Sequence, residues 1–454
     1  MQAALVVFAL VYLGMLLGGL PGLRLDRTGV ALLGAIALLA AGVLTPAQAR
    51  DAIDVPTIAL LFGLMVVSAQ FQLAGLYGRI AEALGASALP PARLLLAVIL
   101  VAGALSAVLV NDVVCLALAP LLVEVCARRG LAPLPFLLGL ACASNVGSAA
   151  TLIGNPQNIL VGQSLQLSFA GYLLDAAVPA ALGLLLTWLV IRGATRGRWE
   201  APPAAAPRPA APSRPFDRWQ AAKAVALTVA MSVAFLGGWW PREVVALAGA
   251  GLALLSRRLH SRAMLGAVDW QLLVLFAGLF VVNHALAESG AVAALLADAQ
   301  RHGVGLARPP CLFAATVLLS NVVSNVPAVM LLLPAADPAA GGHAQAGAIL
   351  ALASTLAGNL LLVGSIANLI VADQAARLGV RLGWKEHARV GVPVTLGTLA
   401  VAAGWLWLRA CRRPILAGWG QTRVRRSGSI RAACSGCSSP RPPRCGPSPG
   451  TTPR

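Results

Sequence analysis

Asp112 is the carboxylate of this 454-residue chain that stands in the middle of an apolar stretch, SAVLVNDVVCLALAP. Glu82, Glu124, Asp175, Asp269, Glu288 and Asp373 lie nearer the ends of their runs. A carboxylate can take a proton or a cation, and at bilayer depth it costs about 2.5–3.5 kcal/mol, so by default it marks an ion or proton pathway. Amides and hydroxyls, with glycine and proline beside them, interrupt this and other apolar runs in the same way. They are Asn111 beside Asp112; Ser144 and Asn145; Gly154, Asn155, Pro156, Gln157 and Asn158; Asn321, Ser324 and Asn325; Ser354, Thr355 and Asn359; and Gly364, Ser365 and Asn368. Their N–H and O–H groups can donate to an oxyanion, and their carbonyl oxygens can hold Na+. This set suits the binding and release of ions. It does not suit bond making, since no paired His and acid residues offer a reactive cluster, and no G-x-x-x-x-G-K phosphate loop occurs.

Such residues need elements that can carry them. In lipid every backbone N–H and C=O must find an internal partner, so a broken helix persists only where it lines a cavity or packs in protein. Pro156 cannot donate a backbone hydrogen bond and disfavours helix at Asn155, yet it suits the first position of a new helical arm. The run 134–166 is thus expected to be two half-helices meeting at mid-membrane, with the positive end of the second at the break. The run 347–372 carries Gly364, Ser365 and Asn368 at the corresponding place but no proline, which predicts a softer break. Residues 93–127 and 309–336 each read as two apolar arms around a polar tip, Asn111-Asp112 and Ser324-Asn325.

Correspondence between the halves runs through the chain. At an offset of 215, Arg27, Ala31, Asp54, Gly63 and Gly75 return as Arg242, Ala246, Asp269, Gly278 and Gly290. At 214, Ser106 and Asn111 return as Ser320 and Asn325; at 210, Ser144, Gly154 and Asn158 return as Ser354, Gly364 and Asn368. Duplication inside a polytopic membrane protein is the sequence mark of a secondary transporter, whose site lies where the repeats meet.

Composition agrees, at 58% hydrophobic and 11% charged, with a mean hydropathy of +0.81. Further apolar runs at about 2–20, 28–45, 55–76, 171–191, 220–240, 243–256, 269–287 and 390–409 are each expected to cross a bilayer. Each repeat then holds five crossings plus one hairpin, and an odd count turns the second repeat upside down. On that path 20 of the 24 basic residues before Arg409 fall on one side, among them Arg24, Arg27, Arg257 and Arg258. That side is expected to be cytoplasmic. The net charge of +18 is accounted for by orientation, without nucleic acid, together with a basic tail that, counting Arg409, holds ten of the 34 basic residues. That tail reads as a disordered appendage, and its Cys434, Cys437 and Cys445 lack a fourth metal ligand. Cys115, Cys126, Cys142, Cys311 and Cys411 read as small core residues.

Four segments carry a family resemblance: NDVVCLALAP from Asn111, ASNVGSAATLIGNPQNILVG from Ala143, SNVVSNVPAVMLLLP from Ser320 and ASTLAGNLLLVGSIANLIVA from Ala353. They resemble the signature segments of the citrate-transporter-like, arsenite-permease-like branch of the ion transporter superfamily, over about Gly22 to Arg409. Relatives in that superfamily include divalent-anion/sodium symporters and a group of sodium/proton antiporters. In the symporters, hairpin tips with a Ser-Asn-Thr motif and the unwound midpoints of two spans hold substrate and Na+, and a dimer moves substrate by an elevator-like shift. The resemblance assigns those places to Asn111, Asn325, Gly154 to Asn158 and Gly364 to Asn368. The tips here read Val110-Asn111-Asp112 and Ser324-Asn325-Val326, so neither carries the full triplet.

The expected architecture is an all-α polytopic membrane protein of two inverted repeats, 1–196 and 218–410. A Pro-rich cytoplasmic linker, 197–217, joins them, and a disordered tail, 411–454, follows. The expected function is secondary active transport of a small inorganic or carboxylate anion across the plasma (inner) membrane, coupled to Na+ or H+. No other cofactor, no nucleic-acid partner and no enzymatic activity are expected. A homodimer is expected, for which Gly14 and Gly18 form a G-x-x-x-G face, and Na+ is expected at Asn111, Asp112 and Asn325. Two alternatives stay open: a sodium/proton antiporter in which Asp112 carries the exchanged ion, and a membrane receptor or enzyme.

Overall fold

The computed structural model describes residues 2–19, 22–200, 215–291, 294, 298, 300–301, 305–337 and 342–431, with 412–431 described by backbone alone. The linker expected at 197–217 lies outside them over 201–214, as do Cys434, Cys437 and Cys445. The described residues are helical, with a single isolated bridge between Leu131 and Glu200.

Residues Met1–Leu406 form one compact unit. Its first half runs α1 (Gln2–Leu17), α2 (Arg27–Ala40), α3 (Pro46–Ala52), α4 (Val55–Leu73), α5 (Leu76–Ala86), α6 (Pro91–Val108), α7 (Asn111–Arg128), α8 (Leu134–Ser148), α9 (Pro156–Ser164) and α10 (Phe169–Thr195). The second half runs α11 (Arg218–Gly237), α12 (Arg242–Leu254), α13 (Ser261–Gly266), α14 (Trp270–Glu288), α15 (Pro309–Val323), α16 (Asn325–Ala336), α17 (Ala346–Ala357) and α18 (Ile366–Arg377). A last helix, α19 (Trp384–Arg431), begins in this unit. From Trp407 the chain belongs to a second unit, whose backbone stays helical to Arg431 where the sequence alone suggests an unstructured tail. Among the described residues six helices are long and apolar enough to cross a membrane, with further shorter apolar helices beside them.

The two halves interlock. α4 lies along α12, and α2 lies along α14. At the first crossing a Cβ on Gly63 would stand 2.6 Å from the backbone carbonyl carbon of Ala246; at the second, one on Gly278 would stand 2.9 Å from that of Ala31. Contact this close requires the missing side chain, and the two contacts involve the same pair of sequence-equivalent positions exchanged between halves. Asp54 and Asp269, another equivalent pair, each cap the following helix, accepting from the N–H of Thr57 at 3.1 Å and of Leu272 at 3.0 Å.

Gly14 does not stay free for a partner subunit, because its Cβ position is filled by Val30 of α2 at 2.6 Å. The short helices α3, α5 and α13 stand between the long spans. Cys115, Cys126 and Cys142 are buried free thiols.

Candidate functional site

Both hairpins turn sharply. α6 passes to α7 through Leu109 and Val110, both extended, and the N–H of Asn111 donates to the carbonyl of Gly154 at 3.0 Å. The first tip is thereby tied to the first break. A Cβ on Gly154 would lie 2.4 Å from the carbonyl oxygen of Ser148 and 2.7 Å from that of Ser106, so only glycine admits the hairpin there. α15 passes to α16 through Ser324 alone, at φ 78° and ψ 162°. That region is essentially restricted to glycine and costs a serine about 1–3 kcal/mol, so the second tip is held under strain.

The two breaks share one local design. Asn155, extended at φ −153°, caps α9 by accepting from the N–H of Asn158 at 2.8 Å. The amide of Asn158 in turn covers two carbonyls left open by the break, donating to Thr151 at 2.9 Å and Ser148 at 3.4 Å. In the second half Ser365 is extended at φ −140°, and Asn368 donates to Gly358 at 2.9 Å and Leu361 at 3.3 Å. Gly358 and Leu361 are the 210-offset equivalents of Ser148 and Thr151. The expected softness of the second break is therefore corrected. It is as complete as the first, because amide capping of freed carbonyls rather than a proline holds it open.

Across the halves these groups exchange partners. Asn145 donates to Asn359 Oδ1 at 2.8 Å and Asn368 Oδ1 at 3.1 Å, and accepts from Ser365 Oγ at 2.9 Å and Asn111 Nδ2 at 3.2 Å. Two donors and two lone pairs are all that an asparagine side chain has, and all four are used. Its equivalent, Thr355, accepts from Asn155 Nδ2 at 3.1 Å and Gln157 Nε2 at 3.2 Å and donates to Asn158 Oδ1 at 3.0 Å. Each hub on one half thus grips the break of the other. Ser144 and Ser354 stand apart from this exchange. Ser144 bonds Cys115 Sγ and the carbonyl of Ala141, and Ser354 bonds the carbonyl of Leu350 in its own helix.

Beside this network lies a cavity of about 30 Å³. Both tips line it, through Asn111, Asp112, Ser324 and Asn325, and so do both breaks, through Pro156, Gln157, Ser365 and Ile366. Arg27, Met15, Leu272, Leu275, Val326 and Pro327 complete the wall. Asp112 is only 8% exposed, and no hydrogen bond or ion pair reaches its carboxylate among the described residues. It also borders a second, wider pocket of about 450 Å³ that includes Asp269, so one carboxylate separates two spaces. The side-chain oxygens Oδ1 of Asn111 and Asn325, equivalent residues of the two tips, are buried without a partner. Buried carbonyl oxygens left unpaired are rare and call for an explanation such as an ion.

Gly364 touches Gly358, Asn359 sits under the network, and neither borders the cavity. In the sequence Arg27 carries only its repeat match to Arg242 and its share in the orientation charge, since a basic residue at a span end gives no sign that it faces a cavity. Tyr172, which accepts from Asn158 and donates to the carbonyl of Ala149, also supports the first break, with no sign of this in its local sequence.

The family model described as citrate transporter matches residues 5–357. The chain belongs to the citrate transporter family. Curated relatives agree. The rice (Oryza sativa subsp. japonica) silicon efflux transporter LSI3 is 30% identical over 478 residues, covering 87% of this chain and 95% of the relative. The Escherichia coli (strain K12) inner membrane protein YbiR is 31% identical over 352 residues, covering 74% and 83%. Among solved structures, the YdaH transporter of Alcanivorax borkumensis shares the fold with a TM-score of 0.57 at 17% identity, covering 92% of this chain and 98% of that one. This citrate-transporter-family member is therefore a multi-pass membrane transporter and not an enzyme.

Proposed function

We propose that this transporter is a secondary active carrier of a small anion, built of two inverted repeats and coupled to Na+ or H+. The observation that carries the reading is the single cavity lined by both hairpin tips and both helix breaks. Packing alone has no need for four polar segments, two from each half, to meet at one space. The exchanged crossings of Gly63 with Ala246 and Gly278 with Ala31 support the inverted repeat, as does the exchanged gripping by Asn145 and Thr355.

Asp112 is the coupling residue in this reading. An unpartnered carboxylate in a low-dielectric wall is stabilised by a proton or a cation, and the unpaired oxygens of Asn111 and Asn325 have the chemistry of Na+ ligands. The remaining members of the set, Asn145, Gly154, Asn155, Pro156, Asn158, Ser324, Thr355, Asn359, Gly364, Ser365 and Asn368, act by holding the broken elements around the cavity, whereas Ser144 and Ser354 bond within their own half and take no part in it. Citrate in the family description and silicon in the name of the rice relative bracket the substrate class. The proposal extends to a homodimer on the family resemblance, which cross-linking in native membranes tests.

The deciding experiment is electrical. Purified protein in proteoliposomes is given imposed Na+ or pH gradients with a panel of anions, and currents are compared for the parent, Asn111→Ala, Asn325→Ala and Asp112→Asn. We expect anion-dependent currents in the parent. The two Asn variants should bind substrate or ion more weakly, and Asp112→Asn should lose its response to the driving gradient. Parental rates in all three variants refute the site, and Na+-driven proton movement without any anion favours the antiporter.

A further inference from the structure

Arg27 stands at the first position of α2, just inside the cap that Asp26 provides by accepting from Gly29 N–H at 2.8 Å. Its side chain borders the central cavity together with Asn111, Asp112, Gln157, Asn325 and Ser365. Among the described residues no group lies within hydrogen-bond or ion-pair distance of its guanidinium. The equivalent arginine of the second half is committed elsewhere: Arg242 donates to the carbonyl of Gly162 at 2.6 Å, beside the pair of Gln163 with Glu243 at 2.9 Å. One member of an equivalent pair is fixed in structure, and the other faces the cavity with its donors open.

A guanidinium stays charged and presents five donors in a planar fork suited to oxygens of an anion. Across the same cavity the side-chain amide of Asn325 has neither its oxygen nor its nitrogen bonded among the described residues. The cavity itself, at about 30 Å³, has room for roughly two waters. Of the anions considered, a compact tetrahedral ion asks the least opening of the tips and a tricarboxylate the most.

We propose that Arg27 is the counter-charge for a compact oxyanion bound in this cavity, and that it makes the carrier prefer a charged oxyanion over an uncharged oxyacid of the same size. The inference rests on the proposed site and adds its substrate class. The negative charge of the ligand is met by the guanidinium, its remaining oxygens by the amide of Asn325. Silicic acid, uncharged at neutral pH, has the same tetrahedral shape and gains nothing from the charge.

The test is binding to the full-length purified protein by calorimetry, with sulfate, inorganic phosphate and silicic acid as probes. The parent should bind at least one of the two anions more tightly than silicic acid. Arg27→Gln should weaken that anion by about tenfold or more, as expected for loss of hydrogen bonds to a charged group, and leave silicic acid within about twofold. Arg27→Lys keeps the charge and loses the fork. It should keep the preference for the anion at reduced affinity, and it carries the test should the Gln variant fail to fold. Asn111→Ala, measured alongside, separates the two claims. If it weakens the anion while Arg27→Gln does not, the site stands and the role of Arg27 is refuted. If neither variant changes binding, the site is misplaced. A parent that binds silicic acid but neither anion, or none of the three, overturns the assignment of a compact oxyanion.

Discussion

Replacing Asn145 by alanine removes a side chain whose four hydrogen bonds reach Asn111, Asn359, Ser365 and Asn368 at 2.8–3.2 Å. Interhelical hydrogen bonds in membranes average about 0.6 kcal/mol, so four amount to about 2.4 kcal/mol. Because the partners are buried, those left unsatisfied raise the cost further, by up to about 1–3 kcal/mol each. The expected loss of unfolding free energy is therefore at least about 2 kcal/mol. Unfolding of the purified protein in mixed micelles by added SDS measures it. Ser354→Ala is the internal control: its hydroxyl bonds only carbonyls of its own helix, and its removal should change stability by less than about 0.5 kcal/mol. In the double variant Asn145→Ala with Ser365→Ala the losses should fall short of additivity by about 0.6 kcal/mol, the one bond they share. A loss from Asn145→Ala no larger than that from Ser354→Ala would refute the view that this asparagine locks the first hairpin tip to the second break.

Gly63→Ala and Gly278→Ala should each destabilise by about 1–3 kcal/mol, since the added carbon meets backbone 2.6 Å and 2.9 Å away and no side chain can yield. Gly251→Ala, with nothing within 4 Å, should be neutral or slightly stabilising in the same thermal-melt series. For orientation, a single cysteine placed in the 202–215 linker of a Cys-free variant should resist an impermeant thiol reagent in intact cells, and ready labelling overturns the cytoplasmic assignment.

The helix breaks and hairpins were legible because a polar residue in an apolar run is conspicuous and each reappears in the second half. Asn158 with Asn368 and Asn111 with Asn325 could be paired without coordinates. What could not be read was how the second break is held, since Ser365 and Asn368 take their bonds from Asn145 and from backbone carbonyls of the break. Such tertiary bonds leave no local signature. Arg27 was hidden for a related reason: a basic residue at a span end has the same sequence appearance whether it faces water or a cavity. The short helix α3 is marked locally by Thr45 and Gln48 around Pro46, which form a reciprocal capping box.

The crossings of Gly63 on Ala246 and Gly278 on Ala31 have a consequence for ancestry. A contact in which one position meets another, and their counterparts meet in return, is the self-complementary form that two identical chains adopt about a two-fold axis. If the halves are the inverted repeats proposed above, a single repeat able to insert in either direction could make this contact with its own copy, with no linker between them. Two copies joined in one chain no longer have to match each other. Among the pairs that do not match are Asp112 with Val326, Asn145 with Thr355 and Pro156 with Ile366, and Arg27 and Arg242 differ in that one is open and the other committed. They gather at the cavity and the breaks, whereas the glycine crossings have kept their symmetry.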